Sequence, residues 1–278
     1  MKYYKSPAGW TPVAPNPFST DGRYGSEWTC FRIDGVNRTN CCCGGGKNGP
    51  FTFILGADTP DLKCSLADFL RYNKLHKRNV IISCPESIDL DVFIEQALAE
   101  TPDEKCVRSS DPRWVVHSTT LAAWSDIRQD GMLKSFALLR EEGKQTIGLG
   151  IEKLGDPPDF ANYVMLGSME AVSPEIVVAS RVKNQIIDDA DRPYEPGVRI
   201  YIDNHLIIRD GLTVRDGLHN TKVRKSLPLS PYMAAAITAE DLPQQTWCPR
   251  TFSKAANNFF LESRKTIDNR RHGSILVA

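Results

Sequence analysis

The N-terminal part of the chain changes from a pattern typical of strands to a spacing typical of helices. Residues 28–33 and 51–55 are rich in β-branched and aromatic side chains and flank a glycine-rich turn, so they predict a hairpin. Apolar residues at helical spacing predict a helix over 65–72 and a second helix that begins near Asp89. A short strand, 80–82, is predicted between them. This order indicates a small helical lobe.

Beyond residue 113 short strands dominate the pattern. An apolar run, 114–116, leads directly into His117 and a series of hydroxyl residues. A helix is predicted to follow over 121–131, because Thr119 or Thr120 can cap it and Gly131 can end it. The tail from 252 to 271 carries its apolar residues on one face and predicts a terminal helix. Further strands are predicted at 163–166, 176–179, 198–202 and 212–214.

These elements predict an α+β protein with a strongly bent mixed sheet. Residues 1–60 are interpreted as an N-terminal extension, since their first part is rich in proline, glycine and serine. Residues 61–110 form the helical lobe, residues 111–243 the sheet domain, and residues 244–278 the C-terminal helix.

The composition is that of an ordinary globular protein. Of 278 residues, 41% are hydrophobic and 24% charged, and 34 basic side chains balance 34 acidic ones. These fractions exclude a disordered or collagenous chain, and no apolar stretch reaches the ~20 residues that a membrane-spanning helix needs. We therefore expect no membrane partner. Because no apolar core follows the first lysines, we expect a cytoplasmic protein.

The eight cysteines do not suggest a metal site. They contain no C-x-x-C pair, and the glycine turn after the three adjacent cysteines 41–43 lacks the phosphate-loop pattern. We expect no bound metal.

A basic run suggests a nucleic-acid partner, because Arg71, Lys74 and Arg78 have no acidic residue among them. Together with Arg108, they are candidates for sequence-independent contacts to RNA phosphates.

The order of motifs between residues 65 and 240 resembles the tRNA 2′-phosphotransferase family. Residues 115–119 (VVHST), followed by Ile127 and residues 131–133 (GML), resemble that family's strand, its His-Gly-Thr motif and its Ile and Gly-Leu pattern. Residues 69–72 (FLRY) and 88–94 (IDLDVFI) resemble the start of its winged-helix lobe and the following helix. The family belongs to the wider ADP-ribosyltransferase fold.

This resemblance implies a winged-helix-like lobe joined to an ADP-ribosyltransferase-like domain. It implies that His117 and Thr119 hold the ribose and nicotinamide parts of NAD, and that Arg71 grips an RNA phosphate. Tyr163 stands where the family has the first residue of a His-Val-His-Leu-Ser strand, which places it at the cleft as a further catalytic candidate. Ser118 replaces the family's glycine.

The leading hypothesis is an RNA-directed transferase of the tRNA 2′-phosphotransferase and ADP-ribosyltransferase type, diverged in its acceptor or its reaction. Its expected partner is tRNA or another RNA, and its expected cofactor is NAD. Transfer from NAD requires stabilisation of an oxocarbenium-like centre, commonly by a glutamate. Glu170, Glu175 and Glu195 are the candidates, although none lies in a recognisable motif.

Two alternatives remain open. A charged tRNA could deliver an aminoacyl group to another amine without NAD, with His117 and Ser118 or Thr119 acting as nucleophile or proton shuttle. In the other alternative, the chain is a non-catalytic RNA-binding protein. It predicts salt-sensitive affinity for tRNA and no binding of NAD.

Overall fold

The structure is a computed structural model that divides into two compact units. Unit 1 comprises residues 1–111, 134–165 and 207–226, and unit 2 comprises residues 112–133, 166–206 and 227–278. The structure describes residues 2–6, 15–37, 39–45, 49–99, 104–144, 146, 148–219 and 221–273. Helices and strands both contribute to the two units, which confirms the mixed α and β composition predicted from the sequence.

The elements are as follows. The strands are β1 (Tyr3–Ser6), β2 (Trp28–Asp34), β3 (Cys41–Cys43), β4 (Phe51–Gly56), β5 (Asn79–Ser83), β6 (Trp114–Thr119), β7 (Met132–Lys134), β8 (Tyr163–Ser168), β9 (Val198–Asp203), β10 (Thr213–Val214), β11 (Thr221–Arg224), β12 (Ser226–Pro228) and β13 (Met233–Ile237). The helices are α1 (Leu62–Leu75), α2 (Leu90–Ala99), α3 (Leu121–Asp130), α4 (Phe136–Glu141), α5 (Ser173–Lys183), α6 (Asn204–Arg209) and α7 (Pro249–Gly273). Short 3₁₀ helices lie at Pro158–Asn162 and Ala239–Asp241, and a π-helical turn at Gly150–Leu154.

Unit 1 is organised around a five-stranded sheet in the order β1-β5-β2-β4-β3. Strands β1, β5, β2 and β4 are parallel, and β3 is antiparallel to β4. Helix α1 connects β4 to β5, and α2 packs beside α1. Leu66, Phe69 and Leu70 of α1 are buried against Phe31 and Phe53 of the sheet. Each of these side chains contributes about 1.5–3 kcal/mol through burial.

Two predictions for this region are wrong. The runs 28–33 and 51–55 do not form a hairpin, because β2 and β4 lie side by side in parallel. The helices at 62–75 and 90–99 do not form a lobe of their own, since they cover a sheet whose strands come largely from residues 1–60. Strand β4 is buried on both faces, and its nearly continuous apolar sequence is typical of a parallel strand.

The segment 15–27 covers the second face of this sheet. Phe18 and Tyr24 lie in a cluster with Trp28, Cys30 and Ile81. The N-terminal region is therefore part of unit 1, and the boundary placed between residues 60 and 61 falls inside that unit. Burial raises the pKa of the Cys30 thiol to about 12, which keeps it protonated and unreactive at neutral pH.

Unit 2 contains an antiparallel arrangement in which β6 lies between β8 and β9, and β9 between β6 and β13. Helices α5 and α7 pack on one face. Val116 and Tyr201 meet Phe252 and Phe260 there, and the Tyr201 and Phe260 rings stack with their centroids 4.2 Å apart. Strand β7 pairs with β12.

Most local predictions for this part of the chain are confirmed, including α3, α7 and the strands at 163–168, 198–203 and 213–214. The strand predicted at 176–179 is wrong, because these residues lie within α5. Pro174 occupies the first turn and Asn184 ends the helix in the left-handed conformation. Burial of Val178 and Ala179 outweighs the strand preference of the β-branched residues.

The predicted continuous domain 111–243 is also divided differently. Residues 134–165 and 207–226 belong to unit 1, so the chain passes between the units several times. Among the described residues, no helix combines the length and apolar character needed to cross a bilayer.

Candidate functional site

The strand β6 and the helix that follows it present the main candidate residues of unit 2. Thr120 caps α3 by accepting a hydrogen bond from the Ala123 backbone N–H at 3.2 Å. Gly131 ends the helix with φ of +68°. At the end of β6, a Cβ on Gly197 would lie 1.8 Å from the Thr119 carbonyl oxygen, so this close approach requires glycine. The sequence therefore determines a rigid strand-to-helix connection after His117.

The side chains of β6 alternate between the two faces of the sheet, so the candidate residues lie on different faces. Ser118 points toward α5, where its hydroxyl donates a hydrogen bond to the Glu175 carboxylate. Successive strand residues point to opposite faces. His117, which is half-buried, and Thr119, which is buried, therefore project from the face opposite to Glu175. On the neighbouring strand β9, His117 pairs with Ile200 and Thr119 pairs with Val198.

Ser118 belongs to a buried polar network around Glu175. Both Glu175 and Arg199 are fully buried, and the Arg199 Nη1 lies 3.0 Å from the Glu175 Oε1. The Tyr194 hydroxyl donates to the other carboxylate oxygen at 2.7 Å. Burial, together with the adjacent Glu175 carboxylate, raises the pKa of Tyr194. Three donors thus compensate the buried negative charge.

The remaining donors of Arg199 are also used. They bind the Asn257 side chain of α7 and the backbone oxygens of Met169 and Ala171. In this network Ser118 holds β6 against α5, and its placement does not support the nucleophile role considered from the sequence. Glu175 is neutralised by Arg199, whereas Glu170 and Glu195 are exposed.

Two of the four predicted phosphate-binding cations of unit 1 are paired with carboxylates. The Arg78 guanidinium is buried, and it pairs with Asp159 and bonds the Asn73 side chain at 3.3 Å. Arg108 forms a bidentate ion pair with Asp68, in which Nη1 lies 2.5 Å from Oδ2 and Nη2 lies 3.1 Å from Oδ1. Both charges are already neutralised by carboxylates from distant parts of the chain, so Arg78 and Arg108 are not free cations as the sequence predicted.

The other two cations lie on α1. Arg71 is half-buried with its Nη1 3.8 Å from an oxygen of Asp68. Lys74 is exposed in the last turn of the helix. Lys74 is therefore the predicted cation that is best placed to meet a solvent-borne phosphate.

Tyr163 lies in a cluster that the sequence did not reveal, which we call the lysine cage. The ammonium of Lys222 is fully buried and lies 3.6, 4.4 and 4.9 Å from the ring centroids of Tyr72, Phe160 and Tyr163. Its counter-ion is Asp216, at 2.7 Å. The only sequence signal was a lysine inside an otherwise strand-like run at 221–224.

The charges of the lysine cage influence one another. Burial lowers the pKa of Lys222 to about 8, although Asp216 opposes this shift. Burial tends to raise the pKa of Asp216, but Lys222 and His219 outweigh it and hold that pKa below the usual range. Tyr72 also donates to Asp159, the partner of Arg78. The cluster thus ties β11 to α1 and to the 158–162 turn through buried charge.

The two sets of residues differ in what they can do chemically. The lysine cage is closed by aromatic rings and fully buried charge, which suits a structural role. The His117 face of β6 combines an imidazole, whose two ring nitrogens can form hydrogen bonds, with the Thr119 hydroxyl. Comparison with family models, curated proteins and solved structures gives no match to this chain.

Proposed function

We propose that this chain is an RNA-directed group transferase of the ADP-ribosyltransferase type, with its reaction site on the His117 face of β6. The observation that supports the proposal is the separation of side chains along this strand. His117 and Thr119 share one face, while the Ser118 hydroxyl is held by Glu175 on the other. The side chain that replaces the family's glycine therefore does not occupy the face that would meet a ligand.

In this proposal NAD supplies an ADP-ribosyl group that is activated by its nicotinamide leaving group. His117 would hold a ribose hydroxyl or an amide group through its ring nitrogens, and the buried Thr119 would support the end of the strand beside it. The rigid connection through Thr120 and Gly197 would keep both groups in position. A further feature of the proposal is an ADP-ribosyltransferase-like sheet around β6.

The ion pairs of unit 1 limit which RNA group can accept the transferred ADP-ribosyl group. A 2′-phosphate needs several converging guanidinium or ammonium groups. Arg78 and Arg108 are instead paired with Asp159 and Asp68. We therefore propose an RNA acceptor group other than a 2′-phosphate, with Lys74 contributing a contact to the backbone.

Replacement of His117 by alanine is expected to lower the transfer rate about a hundredfold, as for loss of a proton-transfer or positioning group. The assay incubates the full chain with NAD and total tRNA, and mass spectrometry follows released nicotinamide and modified RNA. His205→Ala is the matched control, because His205 is also half-buried in unit 2 but lies in the first turn of α6. It should retain the wild-type rate.

Several results would contradict this function. An unchanged rate in His117→Ala, with the control also unchanged, would remove His117 from the reaction. No nicotinamide release by the wild-type chain with any RNA would rule out the NAD-dependent reaction. A product that forms only with charged tRNA and without NAD would favour aminoacyl transfer. Salt-sensitive tRNA binding without any product would favour the non-catalytic alternative.

Replacement of Lys74 by alanine is expected to weaken tRNA binding and to reduce the slope of log affinity against log salt by about 1, as for one lost phosphate contact. The measurement is fluorescence anisotropy of labelled tRNA over a salt series. Lys63→Ala provides the control, because Lys63 is exposed in the first turn of the same helix. Equal slopes in wild type and Lys74→Ala would remove α1 from the RNA interface.

A further inference from the structure

Unit 2 contains a cavity of about 360 Å³ between the end of α5 and the segment 187–195. This volume is within the range of pockets that bind small molecules. Its floor is apolar, since Ala179 and Ile187 are both buried. Val182 contributes a partly exposed apolar wall. A ligand that fills the cavity would therefore bury an apolar body.

The opposite wall is held in place from inside the protein. The Tyr194 side chain lines the cavity, while its hydroxyl donates to Glu175 at 2.7 Å. The Tyr194 backbone N–H also donates to the Trp247 carbonyl at 3.0 Å. Because both ends of this residue are anchored, its orientation is preorganised and binding does not have to order it.

Two cations stand at the mouth of the cavity. Lys183 and Arg192 line it with exposed side chains, and neither forms an ion pair within the described part of the chain. Glu195 also lines the mouth and is likewise unpaired among the described residues. The charged lining therefore carries two positive groups against one negative group, which favours an anion.

We infer that this cavity is a binding site for a small carboxylate, whose apolar body lies against Ile187 and Tyr194 and whose carboxylate meets Lys183 and Arg192. The site is independent of the transferase function proposed above. Through Tyr194 and Glu175 it is connected by hydrogen bonds to Ser118 of β6. Binding would stabilise the folded chain by mass action.

The test uses three probes of nearly equal shape and different charge: benzoate, benzamide and benzamidinium. Affinities are measured by titration calorimetry, and chemical shifts of the Ile187 and Tyr194 amides locate the site. We expect benzoate to bind most tightly and benzamidinium least tightly. Absence of saturable binding by all three probes, or preference for benzamidinium, would overturn the inference.

Charge variants make the test specific. Lys183→Gln and Arg192→Gln are each expected to weaken benzoate binding about twofold to fivefold, as for exposed charges. Glu195→Gln should strengthen it by a similar factor. Lys254→Gln is the control, because Lys254 is an exposed residue of α7 that does not line the cavity. Benzoate affinity that is equal in all four variants would place the binding elsewhere and refute the assigned site.

Discussion

Replacement of Lys222 by methionine is expected to lower the free energy of unfolding by about 3–5 kcal/mol, because removal of one member of a buried ion pair leaves the Asp216 carboxylate buried without its ammonium partner. Lys222 and Asp216 are both fully buried, with 2.7 Å between Nζ and Oδ2. Methionine has a similar length and packs well against aromatic rings. The loss should therefore come from Asp216 rather than from a cavity. Urea unfolding monitored by circular dichroism measures it.

Two further variants separate the charge effect from the packing effect. In Lys222→Met/Asp216→Asn the buried negative charge is absent, so the double variant should recover most of the lost stability. Lys74→Met removes an exposed lysine from the same unit and should change stability by less than about 0.5 kcal/mol. Equal losses in the single and double variants would show that the ion pair is not the cause.

The lysine cage also predicts a dependence on pH. The pKa of Lys222 is lowered to about 8 from 10.5, so between these values the unfolded chain binds a proton that the folded chain does not. The stability of the wild type relative to Lys222→Met should therefore rise as the pH increases from 8 to 10.5. Asp216 gives the same direction in the acidic range. Its depressed pKa contributes stability above pH 3.8, which is lost on further acidification.

Replacement of Arg199 by methionine is the second substitution with a large expected effect, also about 3–5 kcal/mol. Arg199 is fully buried, pairs with Glu175 and donates to Asn257. The variant would leave the Glu175 carboxylate with only the Ser118 and Tyr194 hydroxyls. It would also remove the donor that binds the Met169 and Ala171 carbonyls. Denaturant unfolding again measures the loss.

The matched control for this variant is Arg192→Met, since Arg192 is an exposed arginine of the same unit. It should leave stability within about 0.5 kcal/mol of the wild type. Arg199→Lys retains the charge but loses the planar fork, so an intermediate loss is expected. A loss of less than about 1 kcal/mol in Arg199→Met would contradict the structural importance of the Glu175 network.

The local sequence was sufficient to predict a helix or strand where the residues that determine it lie within that element or next to it. Helix α3 has its cap at Thr120 and its stop at Gly131, and both signals are adjacent to the apolar spacing that defines it. The one-sided apolar pattern of α7 likewise predicted a terminal helix. The alternation of β6 determines that Ser118 lies on a different face from His117. These features depend on backbone preferences and on side chains a few residues apart.

Tertiary structure decided everything that depends on distant partners. The direction of β4 relative to β2 follows from a sheet that also includes β5 and β1. Arg78 and Arg108 have the composition of phosphate-binding residues, but their carboxylate partners lie 81 and 40 residues away. The burial of Lys222 among three aromatic rings is equally non-local. The sequence shows which residues of a run are charged. Whether those charges are available to a ligand depends on which opposite charges the fold brings within a few ångströms of them.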